Sequence, residues 1–179
     1  MLPLPTIEAF DRHLMAVGLR FEGVVIGGSA LALMGVVQRP TRDFDILVPA
    51  LPPEIAAAAR DFAKIERIEG VDLADDWLNN GPMQLGSVLP AGWRERVLVI
   101  FKGQSLVLHT LGRADLLKSK LFALCDRGTD LPDCIALAPT DEEIAECMPW
   151  LESQDGNALW PAHARATIAD LERRLGRGV

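Results

Sequence analysis

The stretch VVIGGSALALMGVVQRPTRDFDILV, residues 24–48, carries two glycines and a serine directly after one apolar run, and two aspartates one residue apart at the head of the next. The β-branched run ending at Ile26 reads as a central strand, the small residues from Ser29 as a short helix, and DFDILV as a second strand. Gly27 and Gly28 can adopt positive φ and let backbone approach a ligand closely, while Ser29 and the next amides open a helix, a position that favours anions. Such a turn can hold phosphate; it can also be a plain strand-to-helix connection. Asp43 and Asp45 lie two apart, so on a strand both leave one face while Phe44, Ile46 and Val48 leave the other. Neighbouring carboxylates repel unless they share a cation, and magnesium, which prefers oxygen ligands, suits that role. The alternative is a solvated strand face.

Outward from this stretch, the N-terminal segment TIEAFDRHLMAVG spaces Ile7, Phe10, Leu14 and Val17 as an amphipathic helix, with Thr6 as expected N-cap and Gly18 as stop. PPEIAAAARDFAKI predicts a helix to about Ile65. Residues 70–92 lack a clean period and read as an irregular segment with one short strand. RVLVIFKGQSLVLHTL holds two apolar runs around Lys102-Gly103-Gln104, a strand pair. From Gly112 the pattern is helical, and Thr140 with Glu143 marks one helix start as a capping box. The expected fold is α+β: a mixed β-sheet flanked by helices over residues 1–111, with a C-terminal helical region, 112–179, packed on that core as one compact unit.

The formal charge of −7 argues against a broad nucleic-acid-binding face, though a local basic cleft remains compatible with it. No apolar run reaches the roughly 20 residues of a membrane span. The first residues lack a secretory pattern, so the expected location is the cytoplasm, with no membrane partner. Cys125, Cys134 and Cys147 show no metal or redox spacing and read as buried or half-buried free thiols.

Taken together, the glycine turn and the aspartate pair are what metal-assisted phosphoryl or nucleotidyl transfer needs. GGSALALMGVVQRPTRDFDILV resembles the signature of the polymerase-beta-type nucleotidyltransferases, a Gly-Ser turn followed after a short helix by Thr-x-Asp-x-Asp. DDWLNNGP, LPAGWRERV and LGRADLLKSKLFALCDRGTDLPDCIAL are similar to a bacterial nucleotidyltransferase-like branch related distantly to the abortive-infection toxins. The resemblance implies that Gly27, Gly28 and Ser29 meet the triphosphate of an NTP substrate while Asp43 and Asp45 hold Mg2+. It implies a hydroxyl acceptor on RNA or protein, and a setting with a cognate toxin or antitoxin. Members of that superfamily usually add a third acidic residue on a later strand. VLVIF and SLVLHTL offer only His109, which leaves Asp75 or Asp76 to supply it, or a catalytically inactive nucleotide-binding or antitoxin-like module.

Lys120 emerges among Leu116, Leu117, Ala123 and Leu124 on its helix, so its ammonium must snorkel or meet an anion. Asp130 and Asp133 can supply that anion, and the toxin relatives have a similar Lys, Arg and Asp-x-x-Asp order, matched by Lys120, Arg127, Asp130 and Asp133. A structural ion pair and a catalytic contact with substrate both remain open for Lys120. Trp77 with Asn79 and Asn80 either stacks a base or anchors the irregular segment to the core. His13 and His163 read as surface or boundary residues. Arg173, Arg174 and Arg177 form a basic end that complements the dipole of the last helix.

Overall fold

The computed structural model describes residues 1–176; Arg177 lies outside the described residues. In chain order the elements are α1 (Pro3–Ala16), β1 (Phe21–Ile26), α2 (Gly27–Leu33), β2 (Phe44–Val48), α3 (Pro53–Ile68), β3 (Leu78–Asn79), α4 (Leu85–Val88), a 3₁₀ turn (Trp93–Arg96), β4 (Leu98–Lys102), β5 (Leu106–Thr110), α5 (Arg113–Arg127), α6 (Leu131–Leu137), α7 (Asp141–Glu152) and α8 (Trp160–Arg174). The fold is α+β. Two compact units divide the described residues: 1–87 with 94–111, and 88–93 with the helical residues from 112 on.

The first unit is built on a five-stranded mixed sheet of order β3-β2-β1-β5-β4. β1 runs antiparallel to β2 and parallel to β5, β2 runs parallel to β3, and β4 and β5 form the antiparallel pair expected from their sequence. One sheet face, carrying Phe21, Val25, Phe44, Ile46, Leu106 and Leu108, joins Ile7, Phe10 and Leu14 of α1 and Ile55, Ala59 and Phe62 of α3 in a single core. Trp77 is fully buried in that core: its ring lies edge-on to Phe10 and Phe44, and its indole N–H donates to the carbonyl of Ala59 at 3.0 Å. It anchors the irregular segment and has no face free for a base. Asn80 does similar work outside the core, donating to the carbonyls of Ile46 and Pro49 and accepting from the amide of Leu51 at 2.6 Å.

α1 begins earlier than its sequence suggested. Thr6 does not cap it; Pro3 starts the helix, its fixed φ already helical and its missing N–H costing nothing in the first turn. Gly18 follows the helix with φ +70°, the stop its sequence implied. In the segment 70–92 the short strand is present, and a four-residue helical turn, α4, accompanies it.

The second unit is helical. Thr140 accepts from the amide of Glu143 at 3.2 Å while the Glu143 carboxylate accepts from the amide of Thr140 at 2.9 Å, the reciprocal capping box. All three cysteines are free and buried, and burial pushes their thiols up to about 11 for Cys125 and Cys147 and about 12 for Cys134. Inert packing thiols are the result.

Candidate active site

The register of β1 and β2 sets Ile26 directly across from Asp45. Because the chain leaves Ile26 straight into the glycine turn, that pairing carries the Asp45 carboxylate to Gly27. A Cβ built on Gly27 would lie 2.9 Å from Oδ2 of Asp45, and Gly27 has φ +80°. Both the backbone angle and the approach of the carboxylate therefore require glycine here. On its other side Asp45 faces the β3 end: a Cβ on Gly81 would lie 3.9 Å from Oδ1 of Asp45, and the Gly81 amide donates to Oδ1 of Asn79 at 2.7 Å. Asp45 is half-buried, whereas Asp43 lies one residue before β2 begins and is exposed.

Ser29 is buried, and its hydroxyl donates to the carbonyl of Ile26 at 3.3 Å. That bond ties α2 back to the end of β1. Gly28 looks toward Arg39, which the sequence did not single out, and toward Thr41, the threonine of the Thr-x-Asp-x-Asp signature: a Cβ there would lie 3.4 Å from Nη2 of Arg39 and 3.6 Å from Cγ2 of Thr41. Thr41 is buried, and its hydroxyl has no hydrogen-bond partner among the described residues. The signal for both was their place in QRPTRDFD, immediately upstream of the aspartates.

Partners across a β-ladder, and residues two apart on a strand, share a face. Ile26 pairs with Asp45, Val24 with His109 and Glu22 with Val107, so Asp45, Glu22 and His109 stand on one face of the sheet, opposite the core. Nε2 of His109 lies 2.8 Å from Oε1 of Glu22. Asp75 is engaged elsewhere, with Nη2 of Arg67 at 2.7 Å. Among the described residues no group of three His, Cys, Asp or Glu side chains is placed to hold a metal ion.

In the helical unit Lys120 is almost fully buried and meets both aspartates, Oδ1 of Asp130 at 2.9 Å and Oδ2 of Asp133 at 2.7 Å. Nε of Arg127 also donates to Asp130 at 3.0 Å. Burial by itself would lower the ammonium's pKa, but the bonds from Asp133 and Asp130 outweigh it and hold the pKa above the ordinary lysine value. Burial likewise works against ionised Asp130, and Lys120 and Arg127 overcome it, so its pKa lies below the usual carboxylate value. The anion that the apolar stripe required is thus present within the same unit. Of the outlying histidines, His163 places Nε2 2.8 Å from the carbonyl of Cys125, and His13 stacks beside Phe10.

Among the described residues no helix is long and apolar enough to cross a membrane. Comparison with curated proteins and with solved structures returns no match. A family model does match, over residues 4–138, and so takes in the glycine turn, both aspartates and the Lys120 helix. The chain belongs to the family described as "Nucleotidyltransferase of unknown function (DUF6036)".

Proposed function

We propose that the protein is a magnesium-dependent nucleotidyltransferase that passes a nucleotidyl group from an NTP to a hydroxyl acceptor. The observation that carries this reading is the approach of the Asp45 carboxylate to the Gly27 turn, fixed by the pairing of Ile26 with Asp45. A glycine turn with a carboxylate beside it is the pairing of parts that nucleotidyl transfer uses. The donor set fits magnesium, which commonly takes one or two carboxylates and completes its sphere with water and substrate phosphates. Asp43 and Asp45 would hold it, and bound there it would neutralise phosphate charge and make the acceptor hydroxyl more acidic. Gly27, Gly28 and Ser29 would receive the phosphates, with the Arg39 guanidinium next to Gly28. A contact between Lys120 and substrate, also part of the reading, requires the ammonium to exchange Asp130 or Asp133 for phosphate.

RNA or a protein would present the hydroxyl, and the setting would be a cytoplasmic toxin–antitoxin or phage-defence pair with a cognate partner; these parts rest on resemblance. A second reading, a catalytically inactive nucleotide-binding or antitoxin-like module, draws support from one observation. The strands β4 and β5 carry no carboxylate, and no three-residue metal group occurs among the described residues.

Asp43→Asn and Asp45→Asn, assayed for transfer of label from α-labelled NTPs and for calorimetric NTP affinity with and without Mg2+, decide between them. Transfer by the wild type that both substitutions abolish is the expected result. Magnesium-dependent NTP binding without transfer selects the inactive module, and unchanged behaviour of both variants rejects the aspartate assignment.

A further inference from the structure

Beside the Asp45 rung, the same sheet face carries a hollow of about 270 Å³ lined by Glu22, Val24, Val48, Arg94, Val97 and His109. Its apolar lining is three valines with Gly23 and Pro49, and its polar groups converge from three elements: Glu22 from β1, His109 from β5 and Arg94 from the 3₁₀ turn. His109 is largely buried, with 19% of its side chain exposed, while Glu22 is open to solvent at 69%. An ionised carboxylate only accepts hydrogen bonds, so in the 2.8 Å contact with Glu22 the ring donates from Nε2, and in the neutral ring Nδ1 then carries the lone pair.

The geometry points to His109, oriented by Glu22, as the general base that takes the proton of the attacking hydroxyl, with the adjoining hollow as the acceptor subsite. This rests on the nucleotidyltransfer reading above. His109 and Asp45 sit two strands and two residues apart, on the order of 12 Å between Cα atoms from ordinary strand spacing and rise. That spacing, and the pairing of His109 with Glu22 instead of with an aspartate, set His109 apart from the metal-holding pair and leave it for the nucleophile. The step balances without any further reagent. The acceptor O–H gives its proton to Nδ1, the oxygen forms a bond to the α-phosphorus of the NTP, and the bond from that phosphorus to the bridging oxygen breaks. Its electron pair leaves on pyrophosphate, and the imidazolium returns its proton to solvent. Glu22 is a positioning residue, because its part in the step is exerted through the ring.

The charged groups facing the ring are Glu22, Arg94 and, on β4, Lys102, whose partner Val107 lies two residues from His109 on the same face. The pH response must be read in their presence.

The test uses water as the acceptor, so no identified substrate is needed. Release of NMP and pyrophosphate from each NTP with Mg2+ is followed from pH 5 to pH 9 in wild type, His109→Gln and Glu22→Gln, with calorimetric NTP affinity measured alongside. The expected result is a wild-type rate that rises with pH, a loss of at least 100-fold in H109Q with that rise abolished, a loss of about tenfold in E22Q, and NTP affinity within about twofold in both. In a nucleotide-free sample, 15N imidazole spectra assigned with H109Q should show the Nε2–H tautomer at His109 and a tautomer mixture in E22Q. Retention of rate and pH profile in H109Q overturns the proposal, as does a wild type that binds Mg–NTP yet releases no NMP. Absence of Mg–NTP binding refutes the nucleotidyltransfer reading itself, and the base assignment falls with it.

Discussion

A Cβ on Gly27 would sit 2.9 Å from the Asp45 carboxylate, at a backbone φ of +80°. Gly27→Ala therefore meets two penalties, the left-handed backbone and a contact with charged oxygen. Stability should fall by about 1–2 kcal/mol from the backbone alone. The displaced carboxylate should weaken Mg–NTP binding at least tenfold. Gly28→Ala is a control of the same size without positive φ, where Arg39 needs to yield only slightly. It should cost less on both counts. Denaturant titration and calorimetry of the two variants check this, and equal effects would show that the Gly27–Asp45 approach has no special role.

The β4–β5 turn is held by a residue far away in sequence. Oδ1 of Asp11, on α1, accepts from the amides of Ser105 and Leu106 at 2.8 Å, and Oδ2 accepts from Gln104 at 3.1 Å. The turn passes so close that a Cβ on Gly103 would fall on that carboxylate. Asp11→Ala leaves backbone donors unpaired and should cost about 3 kcal/mol. Gly103→Ala should cost a similar amount, by forcing the carboxylate out. Because both substitutions break one clamp, the double variant should lose much less than the sum. Additive losses in a denaturation cycle would contradict the mechanism.

The parts of the fold that depend on local chemistry were legible in the sequence. Alternating and β-branched runs gave β1, β2 and the β4–β5 pair, and the Thr140–Glu143 box located α7. The Lys120 stripe announced its need for an anion, and Asp130 and Asp133 supply it. What local pattern cannot encode is register. The alignment of Ile26 with Asp45, and of Val24 with His109, is a long-range pairing, so neither the Gly27 contact nor the shared face of Glu22 and His109 could be read from spacing. Arg39, and the place of Thr41 beside Gly28, were missed for a related reason: both residues lie in the connection between α2 and β2, which has no period, and reach Gly28 only because that connection folds back. Thr6 failed as a cap because a proline three residues earlier was the stronger signal.

Lys120, Asp130 and Asp133 form a buried ion cluster, with Arg127 also on Asp130. Lys120→Met takes the shared ammonium away from two buried carboxylates and should cost about 3–5 kcal/mol. Replacing all three together, Lys120→Met with Asp130→Asn and Asp133→Asn, removes the stranded charges and should recover part of that loss. Chemical denaturation of the single and triple variants measures the difference. A triple variant less stable than Lys120→Met would mean that the aspartates serve the helical unit through contacts other than the lysine.

The same groups set the pH range of stability. Asp11 and Asp130 have folded pKa values held below the ordinary 3.8, Asp11 because its backbone bonds outweigh burial and Asp130 because Lys120 and Arg127 do. A depressed carboxylate contributes fully above its unfolded pKa, and that contribution disappears as pH falls through the folded value. Lys120 is displaced the other way, above 10.5, so its contribution is complete below that value and is lost as pH rises through the folded one. The melting temperature should therefore hold a plateau from about pH 5 to pH 9 and drop on acidification below about pH 4. Asp11→Asn removes one of the depressed carboxylates, so its melting temperature should be lower on the plateau and its acid limb shallower than wild type. Parallel acid limbs in wild type and Asp11→Asn would show that the Asp11 clamp persists when its carboxyl is protonated, and that the amides of the β4–β5 turn need only an oxygen there, not its charge.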